Sequence, residues 1–232
     1  APAFSALRRM APAAARDLLA PRIAGESADS RLRLAAVLAL GLSPDDRALL
    51  ASLQSDRAPK VKALAASLLA RLGDGGGIGE EPAELAGYFS IQTKGLLRRT
   101  RVVAANALKT AAQRNRRQEL LACVDFPSFA TALKIGVEEL VGSWNWGSDR
   151  QADGGFAAMI AGSAPDAVVA SAIDLVAEDG TEAAIPLFNL LPRLSAEQRA
   201  GAAEALLRAR GADLLLAAAI GGGECRLADP LR

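Results

Sequence analysis

Side chains able to carry charge, protons or stacked rings gather in two places in this chain. Between Glu84 and Glu119 there is no acid, while Lys94, Arg98, Arg99, Arg101, Lys109, Arg114, Arg116 and Arg117 supply eight positive charges. A row of cations suits a phosphate backbone, and such binding falls steeply with added salt. The second place is "WNWGSDR", Trp144 to Arg150, where both tryptophans of a chain with nine aromatic residues meet Asp149 and Arg150. Rings beside an acid and a base suit an extruded nucleobase or an anchor in a protein interface. Net charge is only +1, but outside the basic run 19 basic residues face 26 acidic ones, so the chain is dipolar.

Several chemistries are excluded by what is missing. The chain has no histidine, which removes Ser-His-Asp and Cys-His catalysis, histidine metal ligation and histidine pH switching together. Its two cysteines, Cys123 and Cys225, form no CxxC pair and read as buried or incidental thiols of a reducing compartment. The paired acids Asp45/Asp46, Glu80/Glu81, Glu138/Glu139 and Glu178/Asp179 point to different sides of a helix and cannot clamp one bond. "GDGGGIG" at 73–79 lacks the preceding strand and the Lys-Ser/Thr of a phosphate loop, so it reads as a hinge. No cofactor and no metal is expected.

The elements that position these residues are predicted to be helices. Alanine and leucine dominate the hydrophobic half of the chain and aromatics make up 4%, which favours helices over sheets. Pro12 begins a helix that Pro21 ends, and Ser27 caps the next, which stops near Gly41. "SPDD" at 43–46 opens a third, and Pro59 opens a fourth that Gly73 closes. Leu96 to Gln113 reads as one long helix with Leu97, Ala104, Leu108 and Ala111 on a common face and Arg98, Arg101 and Lys109 opposite. Asn115–Arg117 is then a turn, and Gln118–Cys123 starts again. Pro127–Lys134 and Val137–Ser143 form a hairpin bent at Lys134–Gly136, with Phe129, Leu133, Val137, Leu140 and Val141 inward and Trp144 closing its end as a core anchor. Trp146 faces the hairpin that starts near Asp153. Further helices are expected at Pro165–Glu178, Thr181–Leu191 (kinked by Pro186), Ser195–Ala209 and Ala212–Ile220, the third opened by the capping box "SAEQ".

Four resemblances attach to particular stretches. "DRAPKVKALAASLLARLG", Asp56 to Gly73, resembles the second helix of a HEAT-type repeat, with Asp56, Val61, Lys62, Ala65, Leu69 and Leu72 in the pattern positions. "DSRLRLAAVLALG" at 29–41 is a looser copy, and the chain is also similar to an uncharacterised bacterial helical-repeat family carrying a "DDR…VR…A…LLARL" segment. This implies stacked hairpins and carries no reaction. "WNWGSD" resembles the tryptophan and aspartate set of alkylpurine DNA glycosylases built from HEAT-like repeats, without the further aromatics of such a cleft. "PSFATALKIGVEELVG", Pro127 to Gly142, resembles the helices that follow the recognition helix of phage-repressor-type DNA-binding domains, without a recognition helix upstream.

The resulting expectation is an all-α solenoid of antiparallel helical hairpins, HEAT/armadillo-like, with nine to twelve helices. Residues 1–73 form an N-terminal block, 74–82 a Gly-rich loop and 83–232 a longer C-terminal block. The expected function is a non-catalytic scaffold or adaptor that holds another protein in its groove. Its binding candidates are Arg98, Arg101, Lys109, Arg114, Arg116, Arg117, Trp144, Trp146, Asp149 and Arg150. The alternative is a nucleic-acid-binding or base-excising repeat protein that uses the same residues. Its apolar runs, 34–42 and 214–223, are too short to span a bilayer, no signal peptide is visible, and the chain opens on Ala1 without methionine. A trimmed, cytoplasmic protein with no membrane partner is therefore expected.

Overall fold

The computed structural model describes residues 2–77, 79–94, 100–179, 190–191 and 193–210. The chain divides into two compact units, Ala1–Gly75 and Gly76–Arg232. Among the described residues it is predominantly helical, with twelve α-helices and one two-stranded sheet.

The first unit holds α1 (Pro2–Met10), α2 (Pro12–Leu19), α3 (Ala28–Val37), α4 (Arg47–Leu53) and α5 (Pro59–Leu69). The starts of these helices follow from local chemistry. Proline occupies the first turn of α2 and α5, where its missing N–H costs nothing. The Ser27 hydroxyl accepts the Ser30 amide at 3.2 Å to cap α3, and Ser43 and Asp46 form a capping box ahead of α4. Gly73, at φ +89, ends the turn that follows α5, a conformation that glycine adopts without strain. Leu19, Ile23, Ala35, Leu38, Leu50, Leu53, Val61, Ala65 and Leu68 fill the core.

Arginines tie the open ends of these helices. Arg8, fully buried, donates to the carbonyls of Pro12 (3.0 Å), Leu38 (3.3 Å), Leu40 (2.8 Å) and Gly41 (3.1 Å) and to Asp46 Oδ2 at 2.5 Å. Three of those carbonyls follow the last turn of α3 and lack helical partners. Arg47 does the same beyond α5, donating to Leu72 O at 2.7 Å and Asp74 Oδ2 at 2.6 Å. Asp56, in the first HEAT-pattern position, receives Arg31 at 2.6 and 2.9 Å, while Val61, Ala65 and Leu69 face the core and Lys62 is exposed.

The second unit begins with α6 (Glu80–Ala86), so the break between helices is shorter than 74–82. Then come strands β1 (Phe89–Lys94) and β2 (Thr100–Ala105), and α7 (Ala111–Cys123), α8 (Phe126–Ala132), α9 (Val137–Ser143), α10 (Arg150–Ser163), α11 (Asp166–Asp179) and α12 (Ala196–Arg210). α7 packs on α10, α8 on α9, and α11 on α9 and α12. The bend between α8 and α9 is at Lys134, a non-glycine residue at φ +56. Phe129, Leu133, Leu140 and Val141 are buried there, with Val137 packed on the same core. Arg193 reproduces the arginine tie, donating to the carbonyls of Ile160 (2.9 Å), Ala161 (3.1 Å) and Ala164 (2.7 Å) and to Asp166 Oδ1 at 2.5 Å.

The region 89–123 departs from the expected helices. β1 and β2 pair antiparallel, Phe89 opposite Ala105 and Lys94 opposite Thr100, where a single helix from Leu96 to Gln113 was expected. The β-branched and aromatic residues Phe89, Ile91, Thr93, Thr100, Val102 and Val103 suit a pleated surface, and they override the alanine-rich average around them. Asn115–Arg117 is not a turn but the middle of α7, which runs unbroken from its Thr110–Gln113 capping box. α1 and the full length of α10 were not anticipated. The helix expected at 212–220, Pro186 and Cys225 lie outside the described residues, as does most of 181–191. Cys123 is exposed at the end of α7 rather than buried.

Candidate functional site

The Trp144–Arg150 loop lies between α9 and α10. It is held on one side by β2, because the Asn145 amide donates to Val103 O at 2.9 Å and Trp144 bridges Val103. On the other side the Trp144 ring stacks on Phe156 of α10, with centroids 3.8 Å apart and planes 12° apart. Phe89 and Phe129 close around it at 5.0 and 6.4 Å, leaving Trp144 6% exposed. Trp146, half-buried, packs on Phe156 at 5.6 Å and its indole N–H reaches Val141 O at 3.4 Å.

Two aspartates organise the loop from below. Asp153, 2% exposed, accepts the Trp144 indole N–H at 2.8 Å on Oδ1 and the Gly147 amide at 3.0 Å on Oδ2. Burial pushes its carboxyl above the usual range, and the negative charge of Asp149 adds to this, against the downward pull of its two donors. Asp149 caps α10, its Oδ1 accepting the amides of Gln151 and Ala152 at 3.0 Å each. Its Oδ2 receives Arg117 Nη2 at 2.7 Å. Burial alone would raise Asp149, but the Ala152 amide, Arg117 and the Gln151 amide outweigh it and hold the carboxyl low.

Two carboxyls pushed apart in this way are the pattern of an acid and a base. Asp153 uses both oxygens on the loop, and Asp149 uses both on a helix end and a buried guanidinium. Arg117 is almost fully buried, with Nε and Nη1 unpartnered among the described residues. Asp153 and Phe156 were missed in the sequence. Gly155, which marks a close approach inside a helix, was the available signal.

The described part of the basic run is spread over β1, β2, the segment before α7 and α7 rather than along one helix. Arg98 lies outside the described residues, Arg101 is on β2, and Lys109 is exposed in the segment before α7. Arg101 makes a bidentate pair with Glu139, with its Nε at 2.8 Å, and donates to Lys134 O at 3.1 Å. Arg116 is bidentate to Glu84 at 2.9 and 2.6 Å, and Glu119 stands 3.6 Å away. These pairings hold the Glu139 and Glu84 carboxyls below their usual range, the arginine hydrogen bond being the main cause in each. Arg114 and Arg150 are exposed, and Arg114 Nη1 donates to Leu108 O at 3.3 Å. The structure therefore joins Arg117 to Asp149 and Trp144 to Trp146. It engages Arg101 of β2 with Glu139 of α9 and Arg116 of α7 with Glu84 of α6.

A groove of about 310 Å³ runs between α6 and α8, with Gly79, Pro82, Ala83, Ala86, Thr131 and Lys134 among its lining residues. A second, of about 250 Å³, lies between α11 and α12. Among the described residues no group of three His, Cys, Asp or Glu could hold a metal ion. No helix there is long and apolar enough to cross a membrane. A family model described as "Family of unknown function (DUF5691)" matches residues 2–231. No curated protein and no solved structure matches the chain.

Proposed function

The chain belongs to the DUF5691 family of unknown function, and from that premise we propose that it is a non-catalytic, HEAT-like helical-repeat scaffold or adaptor that binds another protein. The observation that carries this reading is where the reactive side chains are spent. Arg8 with Asp46, Arg31 with Asp56, Arg117 with Asp149, Arg193 with Asp166, and Trp144 with Asp153 each tie one helix or loop to another. Ties of an arginine to the carbonyl end of a neighbouring helix recur in both units, which supports a frame built by repeating helical pairs. Such frames present long surfaces and position partners rather than transform them.

The test is capture by the purified chain from its native host, followed by reconstitution with the isolated partner. The expected result is a saturable complex of fixed stoichiometry that survives moderate salt. The nucleic-acid alternative predicts instead retention on DNA or RNA at low salt that disappears as salt rises. That outcome, without a protein partner, would overturn the scaffold reading.

A further inference from the structure

Resting on the scaffold reading, we propose that the outer edge of β1 is a docking line that takes an extended, acidic segment of another protein as an added strand. The Asn106 amide donates to Tyr88 O at 2.9 Å, which makes this a hydrogen-bonded pair. By the antiparallel alternation, Ser90, Gln92 and Lys94 also face β2, while the N–H and C=O of Phe89, Ile91 and Thr93 point the other way. On β2 the outward edge is already used, since Val103 O takes the Asn145 amide. On β1, among the described residues, no hydrogen bond reaches the outward groups of Phe89, Ile91 or Thr93.

Among the described residues that edge is uncovered, and it is firmly mounted. Ile91, Gln92 and Thr93 are exposed, and Ile91 shows 43% of its surface, unusual for a large apolar residue here. Phe89 anchors the strand in the ring cluster, 5.4 Å from Phe129 and 5.0 Å from Trp144. Natural sheets blunt free edges with proline, bulges or a covering loop, and Phe89–Lys94 contains no proline and pairs without a bulge. A strand held in its bound shape loses little order when another strand adds to it.

Charge selects the occupant. The sequence from 85 to 118 contains no acid, and β1 ends on Lys94. Arg101 on β2 and Glu139 neutralise each other. Exposed Lys134, whose carbonyl accepts from Arg101, adds a second cation. A second copy pairing β1 against β1 would set two basic hairpins side by side, and like charges across a sheet repel. An acidic strand is drawn to the same place, with an apolar residue to cover Ile91.

The test uses the 232-residue chain and a short synthetic peptide alternating glutamate and valine, with its lysine–valine counterpart as control. The acidic peptide is expected to slow amide exchange at Ile91 and Thr93 about tenfold or more, and to leave Gln92, already in the ladder, unchanged. Ile91→Pro removes only an outward donor, which an edge strand tolerates. It should weaken the peptide about tenfold or more with the near-UV spectrum of the tryptophans unchanged. Thr93→Pro is the second variant, and if neither folds, the exchange pattern of the unaltered chain decides.

Absence of acidic-peptide binding, equal binding by Ile91→Pro, or equal binding of the lysine peptide overturns the proposal. Protection of Ile91 and Thr93 that grows with protein concentration and no peptide also overturns it, in favour of a second copy. A natural partner held equally by Ile91→Pro and the unaltered chain would leave the scaffold reading standing and remove this one.

Discussion

Asp149 and Asp153 lie one helical turn apart at the start of α10, yet their carboxyls are pushed in opposite directions. Asp153→Ala would strand two donors, the Trp144 indole N–H and the Gly147 amide, and should cost about 2 kcal/mol or more in urea unfolding. Asp153→Asn keeps the volume and an acceptor and should cost less. The pH dependence separates charge from shape. Because folding raises the Asp153 value, that carboxyl's contribution is fully present below its unfolded value and is lost as pH rises through the folded one. Asp46 and Asp149 behave in the reverse sense. Burial pushes Asp46 up, but the bonds from Arg8, the Ser43 amide and Arg16 outweigh it, so its contribution is lost as pH falls through the lowered value. Unfolding free energies from acid to neutral pH should therefore show Asp153→Asn gaining on the unaltered chain as pH rises. A constant difference would mean that Asp153 does not titrate with a raised value.

At the element scale, α7 and α10 approach so closely that glycine is needed at one place and not at the next. A Cβ on Gly155 would stand 2.7 Å from Leu121 Cδ1 and 3.0 Å from Leu121 Cβ, whereas one on Gly154 meets nothing within 4 Å. Gly155→Ala should cost about 1–3 kcal/mol by overpacking. Gly154→Ala should be neutral or stabilise by up to about 1 kcal/mol through helix propensity. Paired thermal unfolding curves check both. Elements set by a few adjacent residues were legible in the sequence: the Ser27 cap, the Ser43–Asp46 box, the Pro59 start, and the Ser195–Gln198 box with bonds of 2.9 and 3.1 Å. The hairpin was not, because Leu97, Ala104, Leu108 and Ala111 mimic a helical stripe while the anchor of β2 is the distant Trp144. The burial of Trp144 was legible from the scarcity of rings. The Arg117–Asp149 contact spans 32 residues, and no local pattern announces it.

For the whole molecule, each unit has its own core, and both tryptophans belong to the second. Arg8→Ala would leave Asp46 and the carbonyls after α3 buried without their main partner, a loss of about 3–5 kcal/mol. It should lower the midpoint of part of the helical circular dichroism signal and leave the tryptophan fluorescence transition in place. Coincident shifts in both signals would mean instead that the two units unfold as one block. The ties themselves are made of arginine, of which the chain has 22 against five lysines. Lys60, Lys62, Lys109 and Lys134 are all exposed. An amine-selective acylating or cross-linking reagent would therefore decorate the outside of this protein while leaving its internal clasps intact. A partner could be fixed in place and mapped without loosening the frame that holds it.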